Sequence, residues 1–520
     1  RRAGLMVLLA LVLAGIGGWG VGRLPTAFIP NEDQGYLMIG VQLPDGASLE
    51  RTGATLDQVS KIAMAMPGVE NVVALGGMSV LDSNSALANA AVSYVILKDW
   101  GIRDKAKGQD LRSIVLGLMK ELEVLQDGRA FVIVPPAIQG IGNAGGFQMQ
   151  IEQKDGSFDY GKLQRVTDAM LEQAATQSAL TNLVTSFRAS APHVRIEVDR
   201  VKAESLKVPV GEVFSTLSAY MGSAYVNRFN KFGLSLQVYI QADSQYRTRP
   251  EDILRLQVKN LDGQMVPIGA IAELREALGA PLISLYNLYP SAAIVGSPAA
   301  GFSSGEGIAL MDQIAKAILP PGTGFEWTGM AYQENVVGNQ LLYVFALAIL
   351  LVYLCLAGQY ESWVAPLAVI LAVPLALSGP AIALTAVGLA NNIYTQIGLM
   401  LLIALGAKNA ILIVEVARES RLIEGKEIVE AAIEAARTRF RPILMTSFAF
   451  ILGVVPLVTA TGAGANSRVS LGLCVFSGMI ASTCLAVLFV PSFFTVLQRF
   501  EERKKKAPRA PPAEVAVASP

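Results

Sequence analysis

The sequence predicts a membrane bundle of six helical spans joined to an α+β region. That region carries two copies of one ferredoxin-like β-α-β-β-α-β unit, the second interrupted by an inserted domain. Three observations predict this class. The 520 residues are 52% hydrophobic and 16% charged, with a mean hydropathy of +0.45, whereas average soluble chains carry about 25% charged residues. The apolar residues gather in one stretch at the start and five after about residue 337, leaving roughly 300 residues of ordinary globular composition between them. Within those residues the pattern alternates as strands and helices, and the order repeats.

The first apolar stretch, 4–21, follows Arg1 and Arg2 and leads through RLP at 23–25 straight into a folded region. No small-residue cleavage site follows it, so it is expected to be an uncleaved anchor rather than a signal peptide. The others lie at 338–356, 365–386, 396–417, 443–460 and 471–497, each at or near the ~20 apolar residues that cross a bilayer. Six spans put both termini on one side, and the basic residues say which. Arg1 and Arg2, the loop with Arg418, Arg421, Lys426, Arg437, Arg439 and Arg441, and the tail with Arg499, Arg503, Lys504, Lys505 and Lys506 share one face. The other face's short loops carry only Arg468. Both termini are therefore expected in the cytoplasm and the α+β region on the far side. The Pro- and Ala-rich residues after Ala507 read as disordered.

In the α+β region, 36–43, 69–75, 91–97 and 130–134 read as strands, with helices at 48–66 and 109–125 between them. The second unit opens with a strand at 147–152, a helix at 160–175 and a strand at 180–186. It closes with 292–295, 306–318 and 325–329. Residues 190–277 between these halves have strands of their own, at 194–198, 234–240 and 253–258, and a turn at Asp262-Gly263. Two like units side by side leave a cleft, and clefts at domain interfaces are where small ligands bind. The repeat by itself is equally consistent with a purely structural role.

Composition excludes several functions. Net charge is zero and the one histidine is His193, so a metal site is not expected. Cys355, Cys474 and Cys484 all lie in apolar stretches and read as small buried hydrophobes, not a disulfide framework. Nothing basic and aromatic points to nucleic acid. No phosphate-binding glycine loop or other catalytic motif is present, so no cofactor is expected and ATP is not the energy source.

Lys408 is the most informative residue. It lies about twelve residues into the span at 396–417, ~18 Å from its start and near the bilayer midplane. A lysine there costs at least ~2.5–3.5 kcal/mol and normally faces a partner or a water-filled path. Snorkelling is the bland alternative, but its stem is too short to reach either interface. No Asp or Glu lies in the middle of the other five spans. Glu415, seven residues on, is ~10 Å away along the helix axis. The counter-charge is therefore expected from a carboxylate on another polypeptide. Thr446 and Ser447, in the first turns of the next apolar span, can hydrogen-bond within a bundle, although such threonines more often bond their own backbone. Arg439, at the cytoplasmic mouth of that span, either feeds protons or simply obeys the charge rule.

These residues sit in strings that follow one order along the chain: RLP at 23–25, FIPNEDQG at 28–35, LKDW at 97–100 and DGQMVP at 262–267. WTGM at 327–330, YESW at 360–363, GAKNAILIVE at 406–415 and RPILMTS at 441–447 continue it. Together they resemble the carboxy-terminal half of resistance-nodulation-division (RND) multidrug efflux permeases, in the hydrophobe/amphiphile branch typified by AcrB and MexB. The resemblance covers nearly all of residues 4–500. It implies half of a proton-driven exporter of hydrophobic and amphiphilic compounds, a secondary transporter rather than an enzyme. It further implies a homotrimer in a Gram-negative inner membrane, working with a periplasmic adaptor and an outer-membrane channel.

The map it implies has a first helix at 1–25, a first pore subdomain at 34–136, and a second at 140–188 with 277–330. A docking domain follows at 190–276, five helices at 337–498 and a tail at 499–520. Lys408 matches the lysine of the family's proton relay, Thr446 its hydroxyl partner and Arg439 the cytoplasmic-side arginine. The relay's two aspartates belong to an amino-terminal half, which agrees with the missing counter-charge. The substrate pocket corresponds to Val73, Met78, Val80 and Tyr94, with fewer aromatics than in the multidrug branch, and the gating loop to residues 79–89. Met78 keeps such a pocket apolar and adaptable, which suits drugs, solvents and biocides. The heavy-metal branch, a non-transporting scaffold and an inactive half-product are the competing readings; one Met at 78 is no Met cluster, and a scaffold has no need of a buried charge.

Overall fold

The computed structural model describes residues 3–506 other than 31, 143, 144 and 300. Arg1, Arg2 and the 507–520 tail lie outside the described residues. Helix α1 is Ala3–Gly22. A strap, described over residues 24–30 and 32–35, leads from it into the first α+β module: β1 Tyr36–Gln42, α2 Leu49–Ala65, β2 Val69–Ser79, β3 Ser85–Leu97, the single turn α3 Trp100–Arg103, α4 Leu111–Leu122 and β4 Arg129–Ile133. The four strands form an antiparallel sheet in the order β2-β3-β1-β4.

Both long helices begin where a side chain accepts an otherwise orphaned N–H. Ser48 accepts from the Arg51 amide at 3.3 Å, and Asp110 from the Ser113 amide at 3.1 Å. Their buried residues recur at helical spacing, Thr52, Leu56, Val59 and Ala63 on α2 and Ile114, Leu118 and Leu122 on α4. They pack with Leu37, Ile39 and Val41, alternate residues of β1 and so one face of the strand. Met38, on the opposite face, is buried too. A strand buried on both faces means that the sheet is covered on its second side, and the cover is the second module.

That module is β5 Phe147–Gln153, α5 Tyr160–Ala175 and β6 Leu180–Val184, and resumes with β13 Ser284–Tyr286, β14 Tyr289–Pro298, α9 Ser304–Ile318 and β15 Thr323–Thr328. Its order β6-β14-β5-β15 repeats that of the first sheet. Helix α9 opens on a full capping box between Ser303 and Glu306.

The chain divides into two compact units. One holds Arg1–Ser157, Arg165–Ser186 and Tyr286–Pro520, the other Phe158–Gln164 and Phe187–Leu285. The smaller unit contains β7 Ala191–Val198, α6 Arg200–Ser205, α7 Val210–Leu217, β8 Ala224–Lys231, β9 Leu234–Ile240, α8 Asp252–Arg255, β10 Gln257–Lys259, β11 Met265–Pro267 and β12 Ala272–Gly279. Its core joins Val208, Val213, Val258, Ile268 and Ile271. The β8–β9 hairpin stands clear of that core, with Phe229, Phe232, Leu234 and Tyr239 exposed. The strand expected at 253–258 is a helical turn followed by β10. Pro250 presets a turn backbone, and the Arg249 and Ile253 amides bond the Asp252 carboxylate and the Pro250 carbonyl.

The remaining helices are α10 Gly329–Tyr360, α11 Ala365–Ile370, α12 Val373–Ala376, α13 Ser378–Val387, α14 Ile393–Leu422, α15 Ile428–Val458 and α16 Ala465–Lys506. Among the described residues six helical segments, counting α11 to α13 together, are long and apolar enough to cross a membrane. The sequence reads 365–386 as one helix. The structure breaks it into three because Pro374 and Pro380 lack the N–H that an unbroken helix needs there.

The strap ties three helix N-termini to the first module. The Gly305 amide at the start of α9 donates to the Thr26 carbonyl at 3.1 Å, and at the start of α14 the Ile393 amide donates to the Phe28 carbonyl at 3.0 Å. Glu32, 7% exposed, accepts the Asn466 and Ser467 amides of α16 at 3.2 and 2.6 Å as well as the Ser467 hydroxyl. A carboxylate at a helix N-terminus answers both the orphan N–H groups and the helix dipole. Replacing Glu32 with Ala is expected to cost about 1–2 kcal/mol and to lower the thermal midpoint in detergent, with Glu32→Gln in between. An unchanged midpoint for the alanine variant would show that the carboxylate holds nothing.

Candidate functional site

The membrane part and the module interface each carry expected site residues. Helix α14 begins at Asn392, whose side-chain oxygen accepts the Tyr394 and Thr395 amides, both at 3.0 Å, while its Nδ2 donates to Ser470 on α16 at 3.0 Å. Gly398, Gly406, Ala407 and Ala410 let α14 approach its neighbours closely; a Cβ on Gly398 would sit 3.1 Å from Cys474. The opposite face of α14 presents Ile397, Leu401, Ala404, Lys408 and Glu415 outward. Their spacing of 4, 3, 4 and 7 residues makes one stripe.

Lys408 is thus exposed on an apolar stripe. Among the described residues it has no hydrogen-bond or ion-pair partner. Thr446 is exposed on α15 and donates to its own backbone, the Ile443 carbonyl, at 3.1 Å. Arg439 is half-buried seven residues before it on the same helix, about 10 Å along the axis, and its Nε is buried without a hydrogen-bond partner. No hydrogen bond or ion pair among the described residues joins any two of these three.

Beside them lie one polar residue that escaped sequence reasoning, Asn409, and one, Ser447, that makes the hydrogen bond within the bundle expected of it. Asn409, 2% exposed, has an Nδ2 without a partner. Ser447, also 2% exposed, accepts from Thr483 on α16 at 2.9 Å. The signal for Asn409 lay beside Lys408: an amide within an apolar run.

In the module interface, Met78, Val80 and Tyr94 come together. They pack with Met38, Leu81, Val92, Phe131 and Ile133 of the first module, and with Val184 and Val295 of the second. Val73 is the cross-strand partner of Tyr94 but is 46% exposed, outside that cluster. The gating loop expected at 79–89 is mostly strand. Met78 pairs with Ala86 and Ser79 with Ser85, so the connection shrinks to a tip whose Ser83 and Asn84 are left-handed, with φ of 53° and 63°. A hairpin turn demands that backbone, and Asn tolerates it better than most residues.

A cavity of about 500 Å³ lies where the strap meets α9, α10 and α14. It is lined by Thr26, Phe28, Ile308, Asp312, Glu334 and Asn391 among others. Ser304 donates to Glu334 at 3.1 Å, yet burial raises the Glu334 carboxyl to about 7. No sequence signal marked Glu334, whose burial comes from packing alone.

An α+β region of two like modules and, among the described residues, six membrane-length helical segments, one of them with a lysine on its outward face, define a multi-pass membrane protein. Residues 1–498 match the AcrB/AcrD/AcrF family, and the chain belongs to that family. It is 39% identical over 493 residues to the toluene efflux pump membrane transporter TtgB of Pseudomonas putida, which covers 94% of this chain and 46% of that protein. It is also 39% identical to the multidrug export protein AcrF of Escherichia coli, over 95% of this chain and 47% of that protein. Identity to the multidrug resistance protein MdtF of Escherichia coli O157:H7 is 38%, over 96% and 48% respectively. The chain thus spans about half the length of the curated relatives it matches.

Unfolded, the Glu334 carboxyl ionises near 4.5; folded, it keeps its proton to about 7. Its contribution is therefore complete below pH 4.5 and is lost as pH rises to about 7. The thermal midpoint in detergent is expected to fall between pH 4.5 and 7, and Glu334→Gln to flatten that fall. Equal pH dependence in the two proteins would show that Glu334 is not the group responsible.

Proposed function

We propose that this chain is the carboxy-terminal half of a proton-driven exporter of hydrophobic and amphiphilic compounds. The carrying observation is Lys408, a charge on an outward apolar stripe of a membrane-length helix with no partner among the described residues. An ammonium at that depth demands a counter-charge, and the stripe is the surface on which an amino-terminal half bearing carboxylates would pack. Protonation of such a carboxylate removes its attraction for Lys408, and the two helices shift. Thr446, on the outward side of α15, would join the same relay, and Arg439 would serve its cytoplasmic mouth.

The rest of the reading follows from family membership and the geometry. The strand order of both modules supports ferredoxin-like pore subdomains at 34–136 and at 140–188 with 277–330, and the smaller unit a docking domain at 190–276. The protein would lie in the inner membrane of a Gram-negative cell with both termini cytoplasmic and the α+β region periplasmic. The exposed apolar hairpin β8–β9 suits self-association into a trimer, and the docking domain an adaptor and an outer-membrane channel. Substrates would pass between the modules, at Met78, Val80 and Tyr94 with Val73 at the rim. The relatives' printed names, toluene efflux and multidrug export among them, support solvents and drugs as cargo.

The test is dye efflux from energised cells that carry this chain with an amino-terminal half of the family. Efflux is expected to require both halves, to collapse with the proton gradient and to vanish in Lys408→Ala. Undiminished efflux in Lys408→Ala, or efflux from this chain alone, would overturn the divided relay.

A further inference from the structure

At the tip of the β2–β3 hairpin the carboxylate of Asp82 joins the two modules. One oxygen accepts the Ser79 hydroxyl at 2.6 Å, within the hairpin. The other accepts the Ser186 hydroxyl at 2.6 Å, and Ser186 lies just past β6 of the second module. The Asp82 carbonyl receives the Ser85 hydroxyl at 2.6 Å and the Ser85 amide at 3.0 Å, so the tip is a stiff unit that moves with its carboxylate. Behind the tip, Val80 and Leu81 are buried in the apolar cluster that fills the cleft, beside Met78, Tyr94 and, from the second module, Val184 and Val295.

Asp82 is a half-buried carboxylate served by neutral donors. Among the described residues no Lys, Arg or His stands within ion-pair distance of it. An ammonium adds to its hydrogen bond the attraction of opposite charges, which a neutral hydroxyl lacks, so it competes with the Ser186 hydroxyl for the same carboxylate oxygen. A ligand with an ammonium head and an apolar body therefore has two matched surfaces here, the carboxylate for its head and the cluster behind it for its body. Taking the place of the Ser186 hydroxyl severs the link to the second module in the same step.

We propose that Asp82 is the latch of the cleft. It pins the β2–β3 tip to the second module through Ser186, and a cationic amphiphile opens the cleft by exchanging its ammonium for that hydroxyl. The inference rests on the reading of the chain as an exporter whose cargo passes between the modules. It adds a specificity residue: cationic amphiphiles open the latch, and neutral ones enter without that contact.

The test uses the assembled transporter, this chain with an amino-terminal half, and two fluorescent probes, cationic rhodamine 6G and neutral Nile red. Binding is followed by fluorescence polarisation, and a nitroxide at Asn84 reports tip motion. Asp82→Asn, which keeps shape and hydrogen bonding but not charge, is expected to weaken rhodamine 6G about tenfold while Nile red stays within about twofold. Ser186→Ala, which removes the competing hydroxyl, is expected to tighten rhodamine 6G. In the unsubstituted transporter rhodamine 6G should mobilise the nitroxide and Nile red should not. Equal effects of Asp82→Asn on both probes, no tightening in Ser186→Ala, or an immobile tip at saturating rhodamine 6G would each overturn the latch. Export of Nile red by the unsubstituted transporter separates that failure from failure of the exporter reading, in which neither probe is exported.

Discussion

The strap at residues 24–35 is the constraint on which the rest depends. A chain that leaves a membrane helix must satisfy its backbone polar groups at once, or lose the free energy of each unpaired one. Here the strap does so by pairing with the ends of other elements. Thr26 bridges Asn391 in parallel, the Asn391 amide donates to the Pro25 carbonyl at 2.7 Å, and Glu32 covers the start of α16. One residue on, Asp33 forms an ion pair at 2.8 Å with Arg103, whose side chain is 2% exposed. Arg103 Nε in turn donates to the Lys98 carbonyl at 2.7 Å. Trp100 closes over Gly35, whose φ of +79° and a ring atom 3.1 Å from where a Cβ would stand leave space for glycine alone. Removing one partner of a buried pair leaves an uncompensated charge, so the strap is held at both ends by contacts that fail together.

Helix α14 packs tightly on one face and carries Lys408 on the other. On its inward face Gly398, Gly406, Ala407 and Ala410 alternate with Leu402, Ile403 and Ile413, and the small residues let it come close to its neighbours. That close fit leaves no room for Lys408 inside the chain's own bundle. The lysine faces outward with Ile397, Leu401 and Ala404, and the division follows the 3.6-residue period. At its carboxy-terminal end α14 is held differently. Arg421 bonds both oxygens of Glu502 at 2.9 Å, and its Nη1 donates to the Lys426 carbonyl at 2.7 Å, which ties α14, the following loop and α16 together. Fork-to-fork pairing of that kind fixes geometry as well as charge.

Much of this was legible in the sequence where the signal is local and repetitive. Apolar runs of membrane length, alternation in the strands and Ser48 ahead of an amphipathic helix each need only a short window. Lys408 was legible because one cation in an apolar run has few cheap explanations. Contacts between distant residues were not. Asp82 and Ser186 are 104 positions apart, and nothing in either neighbourhood names the other. Likewise Glu334 has an ordinary sequence context, and only the strap and α9 folding against α10 take its carboxyl out of water. The resemblance puts a loop at 79–89; strand pairing on either side, set by register, takes both ends of it into β2 and β3.

The strap also supplies the shortest covalent route between the two places where site residues gather. From Phe28, bonded to the first turn of α14, the chain runs ten residues to Met38, which packs in the cleft cluster with Met78, Val80 and Tyr94. On that route Glu32, Asp33 and Gly35 are each held. A displacement of the α14 N-terminus would reach β1 through Glu32, Asp33 and Gly35, each tied to another element. β1 is the strand buried on both faces, central in its sheet and touching the second module. Displacing it must either carry the whole sheet or open the interface beyond it. Packed cores resist continuous deformation and change between discrete arrangements, so the interface, joined by apolar contacts and hydroxyl bonds to one carboxylate, is the part that gives.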